Sequence, residues 1–290
     1  KYLLKFLPWA IKFLKAGNLS RLDYISDAML AISNNSVENY RELLKGTGCD
    51  DLIKDAYYVH VYRNKSSASL SQLSWQLREK RQVPIELVHA NELQKLEPNL
   101  SKTFKAAVLI KGQGRATDPS LVGRAIFNKA MSQKVNVINS KVHFFKPNSE
   151  NSFDIQLDNS FHSTKKIVIA AGVWSSKLLE PFKIKLPLEP ERGYHLVCKN
   201  PGIKINHSIM DADRKCVASL MDNGVRIAGT AEFAGLNTPP DFKRATIFKS
   251  IIKEIFPKIN TFDTVEWMGS RPTFPDSLPC LGEIPSLPGV

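Results

Sequence analysis

The chain has 290 residues, 43% hydrophobic and 9% aromatic, and a formal net charge of +12. That length holds one large domain or two interleaved ones, and no apolar run approaches the ~20 residues that span a bilayer. Cys49, Cys198, Cys216 and Cys280 form no C-x-x-C pair and the lysines are spread along the chain, so the pattern suggests neither a zinc site, a disulfide framework nor a nucleic-acid footprint, and a reducing cytosol fits.

Residues 1–16, KYLLKFLPWAIKFLKA, carry Leu3, Leu4, Leu7, Ile11 and Leu14 at helical spacing, with lysines at 1, 5, 12 and 15 mostly on other faces. Pro8 is expected to kink or restart this helix, and Gly17-Asn18 to end it. Two readings stay open: an ordinary helix packed on the core, or a basic amphipathic helix in peripheral contact with a membrane. One or two helices follow over Ser20–Leu44, then a strand at Tyr57–Tyr62. A helix at Ser69–Gln82, an extended Pro84–Leu87, a short helix at Asn91–Leu96 capped by Asn91, and a strand at Ala106–Ile110 come next.

In Gly114–Val122, GRATDPSLV, Asp118 can cap a helix and Pro119 suits its first turn. That helix is expected to reach about Gln133. Its free backbone N–H groups favour an anion, although a well-made helix start explains the residues equally. Short strands are expected at Val135–Ile138, Val142–Phe145 and Phe153–Leu157. Lys165–Leu179, KKIVIAAGVWSSKLL, then reads as a strand at Ile167–Ala171 buried on both faces, a glycine turn at Gly172, and a helix from Lys177. Strand, turn and helix in this order is where α/β proteins place a ligand. These elements suggest a Rossmann-like sheet whose G-x-G-x-x-G turn belongs before Lys1, since no such turn occurs in the sequence.

Leu186–Cys198, LPLEPERGYHLVC, is a proline-rich connection into a strand. Met210–Asp213, Lys215–Leu220 and Val225–Gly229 are extended, with Asp222-Asn223-Gly224 as a hairpin turn. They predict a second, largely antiparallel sheet distinct from the first. A helix over Asp241–Phe256 stops at Pro257, and Thr264–Met268 is extended. In Glu266–Gly282, EWMGSRPTFPDSLPCLG, Arg271 lies between serine and proline, which restricts its backbone. A fixed guanidinium grips a carboxylate with two hydrogen bonds, and it equally makes a surface salt bridge.

Three of these stretches occur in one order. They are G-x-x-x-D-P-x-x-L (Gly114–Leu121 with its Asp118-Pro119), V-I-A-A-G-x-W (Val168–Trp174) with ERGYHL (Glu191–Leu196), and W-x-G-x-R-P-x-x-P-D-x-x-P-x-x-G (Trp267–Gly282). Together the chain resembles the FAD-dependent amino-acid oxidoreductases, the DAO family of D-amino-acid dehydrogenase, glycine oxidase and sarcosine oxidase. LPWAIKFLKA and WMGSRPTFPDSLP are most similar to the bacterial D-amino-acid dehydrogenases.

The resemblance implies an α/β fold, a glutathione-reductase-like FAD domain interleaved with a mixed-sheet substrate domain. It divides the chain into 1–104 (substrate domain), 105–185 (FAD domain), 186–265 (substrate domain) and 266–290 (return to the FAD domain), with the chain expected to be a fragment at both ends. It implies non-covalent FAD near Val142, Ala170, Ala171, Gly172, Trp174, Arg192 and Gly193, with no metal. Arg271 is expected to hold the substrate carboxylate; Tyr194 and His195 point to opposite faces of a strand, so only one can line the pocket, and Tyr194 is the one expected. The expected activity is oxidation of a D-amino acid to an imino acid, with electrons passed to a quinone or the respiratory chain. A glycine- or sarcosine-type oxidase using oxygen, and an inactive or partner-binding fragment, are the alternatives. The expected location is cytoplasmic, with peripheral contact at the inner face of the plasma membrane through 1–16, and no nucleic-acid partner.

Overall fold

The computed structural model describes residues 2–290. Three helices open the chain, α1 (Tyr2–Ala16), α2 (Leu19–Ser33) and α3 (Ser36–Leu44). α1 runs through Pro8 without a restart. Leu4 and Pro8 are both exposed, so water can reach the Leu4 carbonyl that loses its intrahelical donor. Asn18 begins α2 by accepting the Ser20 N–H at 3.1 Å.

Next come β1 (Ile53–Tyr62), α4 (Leu73–Glu79), β2 (Ile85–His89), α5 (Ala90–Leu96) and β3 (Ala106–Ala116). His89, not Asn91, caps α5, through a reciprocal box with Glu92. α6 (Pro119–Ser132) starts where the sequence places it: Asp118 Oδ1 accepts the Ser120 and Leu121 N–H groups at 2.8 and 3.0 Å. Beyond it lie β4 (Phe144–Pro147), β5 (Phe153–Gln156), β6 (Phe161–Thr164) and α7 (Ser175–Leu179). β7 (Glu189–Cys198), β8 (Ser208–Asp211), β9 (Cys216–Met221), β10 (Gly224–Phe233), α8 (Lys243–Thr246), α9 (Phe248–Ile255) and β11 (Thr264–Thr273) complete the order.

Eight strands form one mixed sheet in the order β11-β7-β10-β9-β8-β1-β3-β2. The parallel pairing of β1 with β8 joins the strands up to Ala116 to those from Glu189 onward, so β3, expected with the Rossmann-like strands, lies in this sheet instead. β3 and β11 belong to it, so the sheet's segments extend to Ala116 and Thr273, past the expected divisions at 104 and 265. One face is covered by α9, whose Phe248, Ile252 and Ile255 meet Val59, Leu196, Ile209 and Ile227 in the largest core cluster. Their i, i+4, i+7 spacing puts all three on one side of the helix, and each buried side chain contributes roughly 1.5–3 kcal/mol.

A Rossmann-like parallel sheet does not form among the described residues. Residues 135–138 and 167–171, expected as strands, join no ladder. Val135, Val137, Ile138 and Val168 are exposed, Val168 at 91%. An apolar run becomes a strand only beside a neighbour that takes its N–H and C=O groups. Here Ile167 donates instead to the Gly289 carbonyl at 2.8 Å, and the nearby strands β4, β5 and β6 close on one another as a small antiparallel sheet.

One buried carboxyl makes stability depend on pH. Glu97, directly after α5, is fully buried and accepts the N–H groups of Asn206 and His207 at 3.1 and 2.5 Å. Burial pushes its carboxyl from 4.5 up to about 7, against the lowering pull of those two N–H groups and of Arg115. Between these values the folded chain holds a proton that the unfolded chain has released. This contribution to stability is therefore full below about 4.5 and is lost as pH rises to 7, by roughly 3 kcal/mol. The denaturant midpoint of the wild type minus that of Glu97→Gln is expected to fall across this window. A difference that does not change with pH would remove Glu97 as a contributor.

Candidate active site

Register decides which side chains of β7, β10 and β11 share a face. Arg271 lies opposite Glu191, Gly269 opposite Gly193 and Trp267 opposite His195, while Ser270 faces Arg192 and Met268 faces Tyr194. Opposed residues point the same way and successive residues point oppositely. Glu191, Gly193, His195, Trp267, Gly269 and Arg271 therefore share one face, and Arg192 and Tyr194 lie on the other.

On the first face Arg271 Nη2 donates to Glu191 Oε1 at 2.6 Å, and Glu191 Oε2 accepts from Thr273 Oγ1 at 2.9 Å. The guanidinium lies against Gly193, where a Cβ would stand 3.5 Å from Nη2. The Arg271 side chain is 61% exposed. Among the described residues it donates only to Glu191, which leaves the rest of its fork open to a ligand carboxylate. His195 stacks on Trp267 with ring centres 4.9 Å apart. Burial, with a smaller contribution from Arg226, pushes its pKa down to about 4, so the imidazole is neutral at pH 7. The Trp267 ring covers Gly269, where a Cβ would come within 2.0 Å of the indole; glycine is what lets the ring lie along the strand.

Two further segments border this face. The turn Gly172–Trp174 packs against β11. Gly172 has φ +55, a left-handed conformation that favours glycine, and open space lies where its Cβ would be. Trp174 and Ala170 are exposed and Ala171 is half-buried. α1 borders the Thr273 end of β11: Trp9 Nε1 donates to the Thr273 carbonyl at 3.2 Å, and Phe6 and Trp9 each pack 4.9 Å from Phe233. The Tyr2 hydroxyl donates to Glu189.

The expectation that Tyr194 shares a pocket with Arg271 does not fit this geometry. Tyr194 is 1% exposed. Its hydroxyl donates to Glu232 Oε2 at 2.7 Å and accepts the Asp241 N–H at 3.1 Å. Arg192 is buried beside it and donates to the Thr238 carbonyl, to the Pro239 carbonyl at 3.2 Å and to Glu232 at 3.4 Å. Both brace the back of the sheet. Val142 is exposed in the irregular run before β4. Sequence reasoning missed Glu191, and of the alternating pair Tyr194 and His195 it chose the one that faces away from the arginine. The alternation in ERGYHL carried the signal, but only the pairing of β7 with β11 shows which alternate set meets Arg271.

A depression of about 450 Å³ beside β1 is lined by Glu38, Arg41, Asp51 and Asp55. It lies five strands from β11 and is an exposed ion-pair cluster, with Arg41 bonded to Glu38 and Asp55. Among the described residues no cluster of His, Cys, Asp and Glu is arranged to hold a metal ion.

The chain belongs to the FAD dependent oxidoreductase (DAO) family, whose profile matches residues 7–290, and its cofactor is FAD. It is 32% identical over 286 residues to a D-amino-acid oxidase of Bradyrhizobium diazoefficiens, covering 97% of this chain and 68% of that protein. It is 26% identical over 289 residues to a D-amino acid dehydrogenase of Vibrio cholerae serotype O1, covering 96% of this chain and 68% of that protein. Among solved structures, glycine oxidase from Geobacillus kaustophilus superposes with a TM-score of 0.73 at 18% identity, over 92% of this chain and 70% of that one. Iminodiacetate oxidase from Chelativorans sp. BNC1 gives 0.75 at 18% identity, over 89% and 72%. These likenesses extend to the mixed α/β fold.

Proposed function

We propose that the chain oxidises the Cα–N bond of a D-amino acid to an imino acid, which water hydrolyses to an oxo acid and ammonia, and that a quinone-type acceptor takes the electrons. The observation that carries this reading is the guanidinium fork of Arg271, which keeps donors free beside Glu191 on the face it shares with Gly193. The names of the relatives from Bradyrhizobium diazoefficiens and Vibrio cholerae support the substrate class.

The residues present fit a flat ring system. Gly172 leaves open space where a ring would approach, Gly193 makes room for the Arg271 guanidinium, and exposed Trp174 and Val168 offer apolar contact. Ala170, Ala171, Gly172 and Trp174 would hold FAD without a covalent bond, with Gly193 and, at the adenine end, Val142 assigned by resemblance. When bound, FAD accepts the hydride equivalent from Cα. Arg271 binds the substrate carboxylate through two parallel hydrogen bonds. Glu191, itself held by Thr273, fixes the guanidinium so that little orientational freedom is lost on binding. His195 stays neutral and lies two residues along the strand from Gly193, which the Arg271 guanidinium covers. No protein base is needed when the substrate amine binds in its neutral form. Arg192 and Tyr194 hold the strand from behind.

A second reading, an oxidase that passes electrons to oxygen, is favoured by the printed name of the Bradyrhizobium relative. Turnover of a D-amino acid under air separates the two. Reduction of a short-chain ubiquinone with little hydrogen peroxide supports the dehydrogenase. Peroxide formed in step with substrate consumed, and no quinone reduction, would replace it with the oxidase.

A further inference from the structure

Arg192 behind the sheet meets Glu232, and Arg63, just past β1, meets Asp211. Arg226, on β10, is different. It is half-buried, and among the described residues its guanidinium joins no ion pair and donates no hydrogen bond. Burial lowers its pKa, and no carboxylate is near enough to raise it. The register places this unpaired cation on the face that carries His195. Arg226 lies opposite Val197, and Ala228 opposite His195. Arg226 and His195 are therefore diagonal neighbours on one face, about 7–8 Å apart between Cα atoms and within reach of long side chains. On its other side Ser219 lies opposite Arg226, and the Ser219 hydroxyl donates to that of Ser208 at 2.9 Å. Among the described residues neither the His195 ring nor the Ser208 hydroxyl donates a hydrogen bond. A guanidinium fork, an imidazole N–H and a hydroxyl thus stand on one face as donors without acceptors.

We propose that Arg226, with His195 beside it, binds a phosphate group on this face of the sheet. A cation taken out of water without a counter-charge is costly. A ligand anion offsets that cost, and Arg226 is exposed enough for one to reach it from solvent. The guanidinium fork fits two oxygens of one group, and the neutral imidazole, pushed down to a pKa of about 4 by burial and then by Arg226, adds a third donor without adding charge. The substrate clamp lies elsewhere. Val265 faces Val197, and Arg271 is six residues further along β11, roughly 20 Å away. A small substrate held at Arg271 does not reach Arg226. The phosphate has two possible sources with the same chemistry: the pyrophosphate of FAD, or a free phosphate. The site stands on its own residues, whichever substrate or electron acceptor the enzyme uses.

Two titrations test the site and separate the sources. In the first, calorimetry follows inorganic phosphate added at constant ionic strength to FAD-loaded protein carrying Arg271→Ala, which removes the other open guanidinium. If free phosphate is the occupant, binding saturates and the further change Arg226→Gln weakens it by about tenfold or more. In the second, flavin fluorescence follows FAD added to the cofactor-free protein. If FAD supplies the phosphate, Arg226→Gln weakens FAD binding by about the same factor, and the first titration shows no phosphate binding. Arg226→Lys keeps the charge without the fork and is expected to fall between in whichever titration responds. If Arg226→Gln changes neither, the proposal is overturned. A melt of the cofactor-free protein guards against a purely structural role. Arg226→Met keeps the apolar stem and removes the charge, so it is expected to melt at or above the wild-type temperature. An earlier melt would show that the chain itself satisfies the guanidinium, and would overturn the proposal as well.

Discussion

Arg271→Ala is expected to lower kcat/KM for D-amino acids by about two to four powers of ten while leaving the fold intact. A hydrogen bond to a charged group is worth about 1.5–3 kcal/mol, and the fork loses two of them. At ~1.4 kcal/mol per factor of ten, that range spans the expected loss. The effect is expected mainly in KM, because the carboxylate is bound alike before and during oxidation. Arg271→Lys keeps the charge without the fork and is expected to fall between. Stability has little to lose. The side chain is 61% exposed and its partner Glu191 sits at the same surface, and an ion pair in such a position is worth about 0–1 kcal/mol. Steady-state kinetics beside a thermal melt checks both halves. Unchanged KM would remove Arg271 from the site.

Glu232→Ala is expected to destabilise the protein by about 3 kcal/mol or more, the range for stripping one partner from a buried ion pair. Glu232 accepts from Tyr194 at 2.7 Å and from Arg192 at 3.4 Å, and forms an ion pair with Arg244 at 3.1 Å. Its loss leaves Arg192, 1% exposed, with carbonyl partners but no counter-charge within the sheet's back layer. Chemical denaturation measures the loss directly. The companion change Tyr194→Phe removes one hydroxyl from the same cluster. It is expected to cost a smaller amount of stability and to leave kcat/KM within a few-fold of wild type. A hundredfold fall in kcat/KM for Tyr194→Phe, with stability unchanged, would return that tyrosine to the substrate side.

Local chemistry was legible in the sequence where it acts within a few residues. The Asp118-Pro119 helix start, the Asn18 boundary, the strand at Tyr57–Tyr62 and the Asp222-Asn223 hairpin turn are set by caps, β-branched residues and turn geometry. Long-range pairing was not legible. Whether the strands near 53–116 and 189–273 make one sheet or two depends on the β1–β8 contact, and no periodicity encodes a neighbour 150 residues away. The same limit governs the site. Alternation in ERGYHL separated Tyr194 from His195, yet the side that meets Arg271 is set by the register of β11. Val168 shows the converse error: a strand-like composition predicts burial, but without a ladder partner the residue is exposed.

The central claim is that this chain, loaded with FAD, takes a hydride equivalent from the Cα of a D-amino acid held at Arg271. The most direct measurement is the visible spectrum of the FAD-loaded protein on anaerobic addition of a D-amino acid and, separately, of its L-enantiomer. We predict that the flavin absorbance near 450 nm bleaches with the D-enantiomer, and not with the L-enantiomer. A spectrum that neither enantiomer changes, or that the L-enantiomer bleaches equally well, would contradict the account.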